Sequence, residues 1–208
     1  MRNILFEGYN LLDAALMKGV NAGVRAYNWT TGETKFELAK NLSITAPVLE
    51  SIGFFNYGLI LGAICTSIYL AMSHSDQRLF EDIDKAERNA SEMNALSVIA
   101  EQRKNIICRV NGTWWPLIGS YLYFTSSRTN GYFIQDRTET DMAILIGNFI
   151  RGGSHFIMRA DYLPPRKNCV QRGLEKLAEL QEAAITKPTV QNVPVALQFS
   201  MLSGEIYD

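Results

Sequence analysis

Two histidines are the side chains best suited to acid–base or metal chemistry, and neither has an evident partner. His74 lies where a long uncharged stretch gives way to charged residues, which indicates an interfacial residue. His155 follows Gly152-Gly153. A catalytic role for this histidine would need a second group, and no such group is recognisable in the sequence. We therefore expect no catalytic residue, no metal site and no cofactor site.

The cysteines and tryptophans do not form a recognisable site either. The spacing of Cys65, Cys108 and Cys169 to the histidines fits no zinc motif. Cys65 is expected to be a packing residue, while Cys108 and Cys169 would pair only in an oxidising compartment. The pair Trp114-Trp115 suits stacking on a ligand or a membrane surface, although packing in a core or interface is the commoner role.

One long stretch, residues 51–75, contains no Asp, Glu, Lys or Arg. A helix needs roughly 20 residues to cross a hydrocarbon core of about 30 Å, so this stretch is long enough. Pro47 suits the first turn of such a helix, where its missing N–H has no cost. The sequence therefore predicts a transmembrane helix over residues 47–75. The alternative is a buried core helix of a soluble protein.

Small residues recur within this stretch at the spacing of one helix face. Such rows allow a second helix to approach closely, which is how helices associate in membranes. We expect this face to contact another membrane helix, from a second copy or from a different subunit. The two rows consist of Gly58, Gly62 and Thr66, and of Ala63, Ser67 and Ala71.

The segments on either side of the stretch have the apolar spacing of amphipathic helices. Residues 1–46 are predicted to form an N-terminal amphipathic helical segment, with one helix over 3–27, a break at 28–32, a short helix over 33–42 and a second break before Pro47. Residues 76–104 are predicted to form one further amphipathic helix.

The last part, residues 105–208, is predicted to be an α+β domain. Asn111-Gly112 is typical of a tight hairpin between strands, and the aromatic run 113–124 favours a strand. Further strands are expected over 155–163 and 193–201. Helices are expected over 138–150, stopped by Gly152-Gly153, and over 168–185. The predicted fold class is therefore α+β, with N-terminal amphipathic helices and one transmembrane helix before the domain.

Composition limits the classes of function. The 208 residues are 47% apolar and 20% charged, which excludes a disordered chain and a polytopic membrane protein. A net charge of −1 with no basic segment argues against nucleic acid as a partner. The first residues include Glu7 and Asp13, and they do not resemble a cleavable signal peptide.

These features favour a single-pass membrane protein that acts as a structural or assembly subunit of a multi-protein complex, not as an enzyme. Its expected partners are the lipid bilayer and either other membrane subunits or a second copy. The layout is similar to that of assembly-scaffold subunits of bacterial secretion and conjugation machines, which implies an extracytoplasmic C-terminal domain. The alternative is a soluble α+β enzyme or small-molecule-binding protein, with residues 51–75 as its core helix and His155 or the tryptophans in a pocket.

Overall fold

The computed structural model describes residues 2–89, 95–129 and 138–186, and every regular element in these ranges is an α-helix. The chain divides into two compact units, Met1–Asn168 and Cys169–Asp208. The first unit holds five of the helices, and the second holds α6. The helices are α1 (Arg2–Thr31), α2 (Lys35–Phe55), α3 (Leu59–Arg88), α4 (Ala95–Thr129), α5 (Thr138–Arg159) and α6 (Cys169–Thr186).

The predicted α+β domain is wrong. Residues 105–124, where a hairpin and an aromatic strand were expected, lie within the single helix α4. Of the strand expected over 155–163, the residues up to Arg159 form the last turns of α5 instead. The strand expected over 193–201 lies outside the described residues. The helices expected from 138 and from 168 are confirmed, although α5 continues through Gly152-Gly153.

The error at α4 has a physical cause: the large apolar side chains of this helix lie on its exposed face and not on its buried face. Its exposed face carries large apolar side chains at helical spacing: Ile106, Val110, Trp114, Leu117, Tyr121 and Phe124. Its buried face carries Cys108, Gly112, Trp115 and Gly119 instead. A helix that is apolar nearly all round loses the one-sided pattern by which amphipathic helices are recognised. Aromatic and β-branched residues then favour a strand.

Helices α2 to α5 form a four-helix bundle. Helix α2 runs antiparallel to α3, since Ser73 Oγ donates to the carbonyl of Ser43 and residue 62 contacts Phe55. Helix α5 packs against α2 and α4 and runs antiparallel to both. Its glycines allow this close packing: a β-carbon at Gly152 would lie 2.5 Å from Cδ of Pro116. Gly152 therefore permits helix contact where the sequence suggested a helix stop.

Pro47 lies inside α2 and is accommodated by a side chain of the neighbouring helix. Pro47 has no N–H, so it leaves the carbonyl of Ser43 without its helical donor. The hydroxyl of Ser73 on α3 donates to that carbonyl instead. Pro47 is thus an interior residue of α2, and the break expected before it is wrong.

Residues 51–75 form a helical hairpin. Helix α2 ends at Phe55 and α3 begins at Leu59, so the continuous helix expected over 47–75 is interrupted. Gly58 turns the chain with a φ of +124°, which favours glycine. Among the described residues, no helix combines the length and the apolar character that a membrane crossing requires. Helix α3 then continues to Arg88, and the helix expected over 76–104 is divided between α3 and α4.

Few large apolar side chains are fully buried in this bundle. The apolar core is formed by residues of all four helices of the bundle. It consists of Phe36, Ala39, Phe80, Ile83, Cys108 and Met158. Charged side chains are buried beside it, among them Lys35, Glu50 and Arg151. The interior therefore contains buried ion pairs as well as apolar side chains.

Candidate functional site

Arg151 on α5 is fully buried at the centre of an ionic cluster. Its Nη2 lies 2.8 Å from Oε2 of Glu50, and its Nε donates to Oε1 of the same residue at 3.2 Å. Nη1 donates to Asp76 Oδ2 at 3.3 Å, and Nη2 also donates to the carbonyl of Tyr69 at 3.1 Å. The guanidinium therefore joins α5 to α2 and α3.

Aromatic rings complete the surroundings of Arg151. Its guanidinium carbon lies 4.9 Å from the centre of the Trp115 ring and 5.2 Å from that of Tyr69. Both distances are typical of cation–π contacts. Burial raises the pKa of Glu50, and the bidentate pairing with Arg151 opposes that rise. Arg151 is therefore the group that favours the ionised form of Glu50 against the effect of burial.

His155 is one turn from Arg151 and fully buried. Its Nε2 lies 3.2 Å from Asp76 Oδ1, a distance suited to an ion pair, but the geometry is not that of a hydrogen bond. Its ring packs edge-on against Phe80, with centroids 5.1 Å apart. The imidazole has no exposure to solvent, and its contact with Phe80 supports a packing role.

The frequency of charged residues in the bundle changes at the level of Arg151 and Trp115. Towards the α2–α3 turn lie residues 47–72, 114–125 and 142–150, which we call the apolar end. Glu50 is the only Asp, Glu, Lys or Arg in these ranges, and it is buried against Arg151. Asp141, one residue before the α5 range, is also buried at this end, where it accepts a hydrogen bond from the hydroxyl of Tyr57 in the α2–α3 turn.

The apolar end exposes large apolar side chains on each of its four helices. Ile60 on α3 is 78% exposed, and Tyr121 on α4 is 68% exposed. The full set is Val48, Ile52 and Phe55 on α2, Leu59, Ile60, Leu61, Ile64, Ile68, Leu70 and Met72 on α3, Trp114, Leu117, Tyr121 and Phe124 on α4, and Met142, Ile146 and Phe149 on α5. Soluble monomers rarely expose contiguous apolar patches of this kind.

A shallow depression follows α5 within the apolar end. Its volume is about 410 Å³, and its lining consists of Leu145, Ile146, Phe149 and Ile150. No polar side chain lines it to orient a ligand, whereas small-molecule sites usually carry a few such groups. The depression is therefore better suited to flexible apolar chains than to a specific polar substrate.

The opposite end of the bundle is held by charged side chains. Lys35 is fully buried, and its Nζ lies 2.8 Å from Glu87 Oε1 and 3.1 Å from the carbonyl of Met158. Glu87 also pairs with Lys104 at 2.8 Å. Burial lowers the pKa of Lys35, and Glu87 opposes that shift. Lys35 donates a hydrogen bond to the carbonyl of Met158 at the C-terminus of α5. A cation is favoured at this position by the helix dipole.

Helix α1 is attached to the bundle by a second ionic group. Asp13 accepts two hydrogen bonds from Arg159, at 2.7 and 2.8 Å, and lies 3.2 Å from Arg109 Nε. The hydrogen bonds from Arg159 are the main reason that the pKa of Asp13 is lowered. Tyr9 reaches Thr113 on α4 at 3.1 Å, so α1 runs antiparallel to α4.

The small-residue rows predicted from sequence have different environments. Gly62 is buried against α2 of the same chain: a β-carbon there would lie 2.7 Å from Cα of Phe55. Gly58 forms the hairpin turn, and Thr66 is half-buried. The second row, Ala63, Ser67 and Ala71, is exposed. Contact of either row with another chain stays a prediction.

The ionic cluster was missed from sequence because its members are far apart in the chain. A weak signal was present: Glu50 and Arg151 each border a long uncharged run. A charge at such a position is expected to be paired. All three cysteines are free thiols in the structure, and burial raises the pKa of Cys108 to about 12.

In its described residues, the chain is a helical bundle protein with one charged end and one apolar end. No protein-family model matches it, and neither a curated protein nor a solved structure is significantly similar to it. The likeness to secretion and conjugation scaffolds depended partly on the α+β domain, which is wrong.

Proposed function

We propose that this protein is a structural subunit attached to a membrane, with the apolar end of its bundle inserted in one lipid leaflet. The charged end then remains in water and is available to protein partners. The observation that carries this proposal is the exposure of large apolar side chains on all four helices around one end. It retains the structural role expected from sequence, but it does not require a membrane-spanning helix.

Lipid suits this surface better than a single protein partner does. A protein usually covers one face, whereas the exposed side chains here surround the end: Ile52 on α2, Ile64 on α3, Leu117 on α4 and Phe149 on α5 are each about half exposed or more. Moving one such side chain from water into an apolar environment is favourable by about 1.5–3 kcal/mol. A fluid hydrocarbon layer can accommodate all of them at once.

The depth of the apolar end also fits one leaflet. Trp115, at the level of Arg151, is nine residues from Phe124, which corresponds to about 14 Å along a helix. This distance is close to half of a hydrocarbon core of about 30 Å. Trp114 lies at the boundary, where tryptophan is commonly found in membrane proteins. Glu7, two residues before Tyr9 on α1, is placed near the same boundary by the contact between Tyr9 and Thr113.

Partners within the membrane follow from the same arrangement. The exposed row of Ala63, Ser67 and Ala71 would face lipid, and a second helix could approach closely along it. This keeps the expectation that other membrane subunits or a second copy bind here. The row faces away from Gly62, which is already occupied by Phe55.

Vesicle flotation with a matched pair of variants tests the proposal. Leu117 and Val98 lie on the same helix and are 57% and 56% exposed, but only Leu117 belongs to the apolar end. We expect the full chain to float with phosphatidylcholine vesicles in high salt, because the exposed side chains that would insert are apolar and their attraction to lipid is not screened by salt. Leu117→Glu should reduce the floated fraction several-fold, since it removes an apolar side chain whose transfer into an apolar environment is favourable by about 1.5–3 kcal/mol.

The control Val98→Glu should float like the unmodified protein, and circular dichroism should show equal helix content in both variants. If the unmodified protein stays with the unbound fraction, insertion is refuted. The same conclusion follows if Leu117→Glu and Val98→Glu lower flotation equally, because the apolar end would then have no special role.

A further inference from the structure

The buried ionic cluster around Arg151 has more negative than positive charge. Glu50 and Asp76 supply two carboxylates, whereas Arg151 supplies one guanidinium. A buried net charge is unfavourable, so a cluster of this kind is stabilised by one more cation. His155 is placed to supply that cation, because its Nε2 lies 3.2 Å from Oδ1 of Asp76.

Asp76 presents one carboxylate oxygen to each of two neighbours on α5. Its Oδ2 accepts a hydrogen bond from Nη1 of Arg151 at 3.3 Å, and its Oδ1 faces the ring of His155. The Asp76 side chain is 10% exposed and that of His155 is fully buried, so solvent screens their attraction only weakly. Two opposite charges at this distance attract each other without the alignment that a hydrogen bond requires.

The other charged groups that face this part of the bundle already have partners of opposite charge. They are Glu50 on α2 with Arg151, Lys35 on α2 and Lys104 on α4 with Glu87 on α3, and Arg109 on α4 and Arg159 on α5 with Asp13 on α1. Helix α4 also contributes the thiol of Cys108. Burial, and to a smaller extent the charge of Asp76, raise the pKa of this thiol to about 12, so it is neutral at physiological pH.

We propose that His155 is a buried pH-sensing residue whose protonation forms an ion pair with Asp76 and strengthens the contact between α3 and α5. Imidazole is the side chain that ordinarily changes its charge between about pH 5 and 8. The ion pair is therefore present in acid, and its contribution to stability is lost as the pH rises through this range. This role is additional to the packing of His155 against Phe80, and it does not depend on membrane attachment.

Glu50 is the group that competes for the same proton. Burial raises its pKa, and the hydrogen bonds from Arg151 oppose that rise. Protonation of Glu50 would also balance the charge of the cluster, but it would weaken the pairing of both its oxygens with Arg151. Within the described residues, neither ring nitrogen of His155 makes a hydrogen bond, so protonation there gains an ion pair and breaks no existing bond.

Nuclear magnetic resonance of the full chain, labelled in its histidine rings, tests the charge of His155 directly. The sequence contains two histidines, and the exposed His74 is the internal control. At about pH 5.5 we expect the ring nitrogens of His155 to show the charged form in the folded protein and the neutral form in Asp76→Asn. The signal of His74, assigned with His74→Gln, should be charged in both proteins.

Urea unfolding at about pH 5.5 and about pH 8.5 measures the consequence for the bundle. His155→Gln should raise the unfolding equilibrium constant roughly ten-fold more at the acidic pH than at the alkaline pH, because the ion pair exists only in acid. The comparison between the two pH values cancels the lost packing against Phe80, which is the same at both. The control His74→Gln should show no such difference.

Three results would overturn the proposal. A neutral His155 in the folded, unmodified protein at the acidic pH would exclude the ion pair, and this measurement needs no variant to fold. Equal charging of His155 with and without Asp76→Asn would mean that the carboxylate does not hold the proton. Stability that depends equally on pH in His155→Gln and in the unmodified protein, but not in Glu50→Gln, would place the proton on Glu50.

Discussion

Replacement of Arg151 by methionine should destabilise the bundle severely. The guanidinium pairs with Glu50 at 2.8 Å and with Asp76 at 3.3 Å, and neither Arg151 nor Glu50 is exposed. Methionine retains much of the volume but leaves two carboxylates without their cation. Removing one partner of a buried ion pair costs about 3–5 kcal/mol. For a chain of this size, that corresponds to a fall in melting temperature of about 6–20 °C.

The assay is thermal and urea unfolding followed by circular dichroism at neutral pH. Arg25→Met is the matched control, because Arg25 pairs with Asp161 at 3.1 Å but both side chains are more than half exposed. Exposed pairs contribute about 1 kcal/mol or less. Adding Glu50→Gln to Arg151→Met should recover part of the loss, since it removes one uncompensated charge.

The deficit should also shrink as the pH is lowered. Burial already raises the pKa of Glu50, so without Arg151 this carboxyl takes up a proton more readily and ceases to be a buried charge. If Arg151→Met is as stable as Arg25→Met, or if Glu50→Gln lowers its stability further, the cluster is not what holds these helices together.

Three further outcomes follow from local contacts. Gly62→Ile should lower the unfolding free energy by about 1–3 kcal/mol, because its β-carbon would collide with Phe55; equal urea midpoints would contradict the contact. Cys108 should resist a maleimide until the chain unfolds, since burial raises its pKa to about 12. A mass spectrum that shows Cys108 labelled in the native protein would contradict this burial. Asp13 has a lowered pKa, so its stabilisation is complete above the unfolded pKa of about 3.9 and is lost as the pH falls through the lower folded value. The stability difference from Asp13→Asn should therefore vanish by about pH 2, and a constant difference in urea unfolding would refute the pairing with Arg159.

The helices with a conventional polarity could be predicted from the sequence. Helix α6 has charged residues opposite its leucines, and α1 was predicted as a helix, although it continues to Thr31 through most of the break expected over 28–32. In both, the 3.6-residue period is visible because one face is polar. The start of α5 at Thr138 was also predicted correctly.

Helix α4 and the end of α5 could not be recognised by the same rule. Trp114, Leu117 and Tyr121 point outwards, whereas Gly112 and Gly119 point inwards, so large side chains mark the wrong face. Pro116 and Gly152 suggested breaks when read separately. Together they form a close contact between two helices, which only the tertiary structure makes visible.

The ionic cluster depends on contacts between residues distant in sequence. Glu50 and Arg151 are 101 residues apart, and local patterns contain no information on such a pair. The uncharged stretch 51–75 was correctly identified as unusual, but its division at Gly58 depends on a backbone conformation that a lone glycine does not specify.

The most direct test of membrane insertion is quenching of tryptophan fluorescence by brominated phosphatidylcholine. Trp114 lies at the boundary of the apolar end and is 57% exposed, whereas Trp29, at the end of α1 near the charged end, is 56% exposed. We predict that vesicles of brominated lipid quench the intact protein, that Trp29→Phe remains quenched, and that Trp114→Phe, which keeps only the buried Trp115 and the distant Trp29, is quenched less. Absence of quenching, or quenching that disappears with Trp29→Phe and not with Trp114→Phe, would contradict insertion of the apolar end.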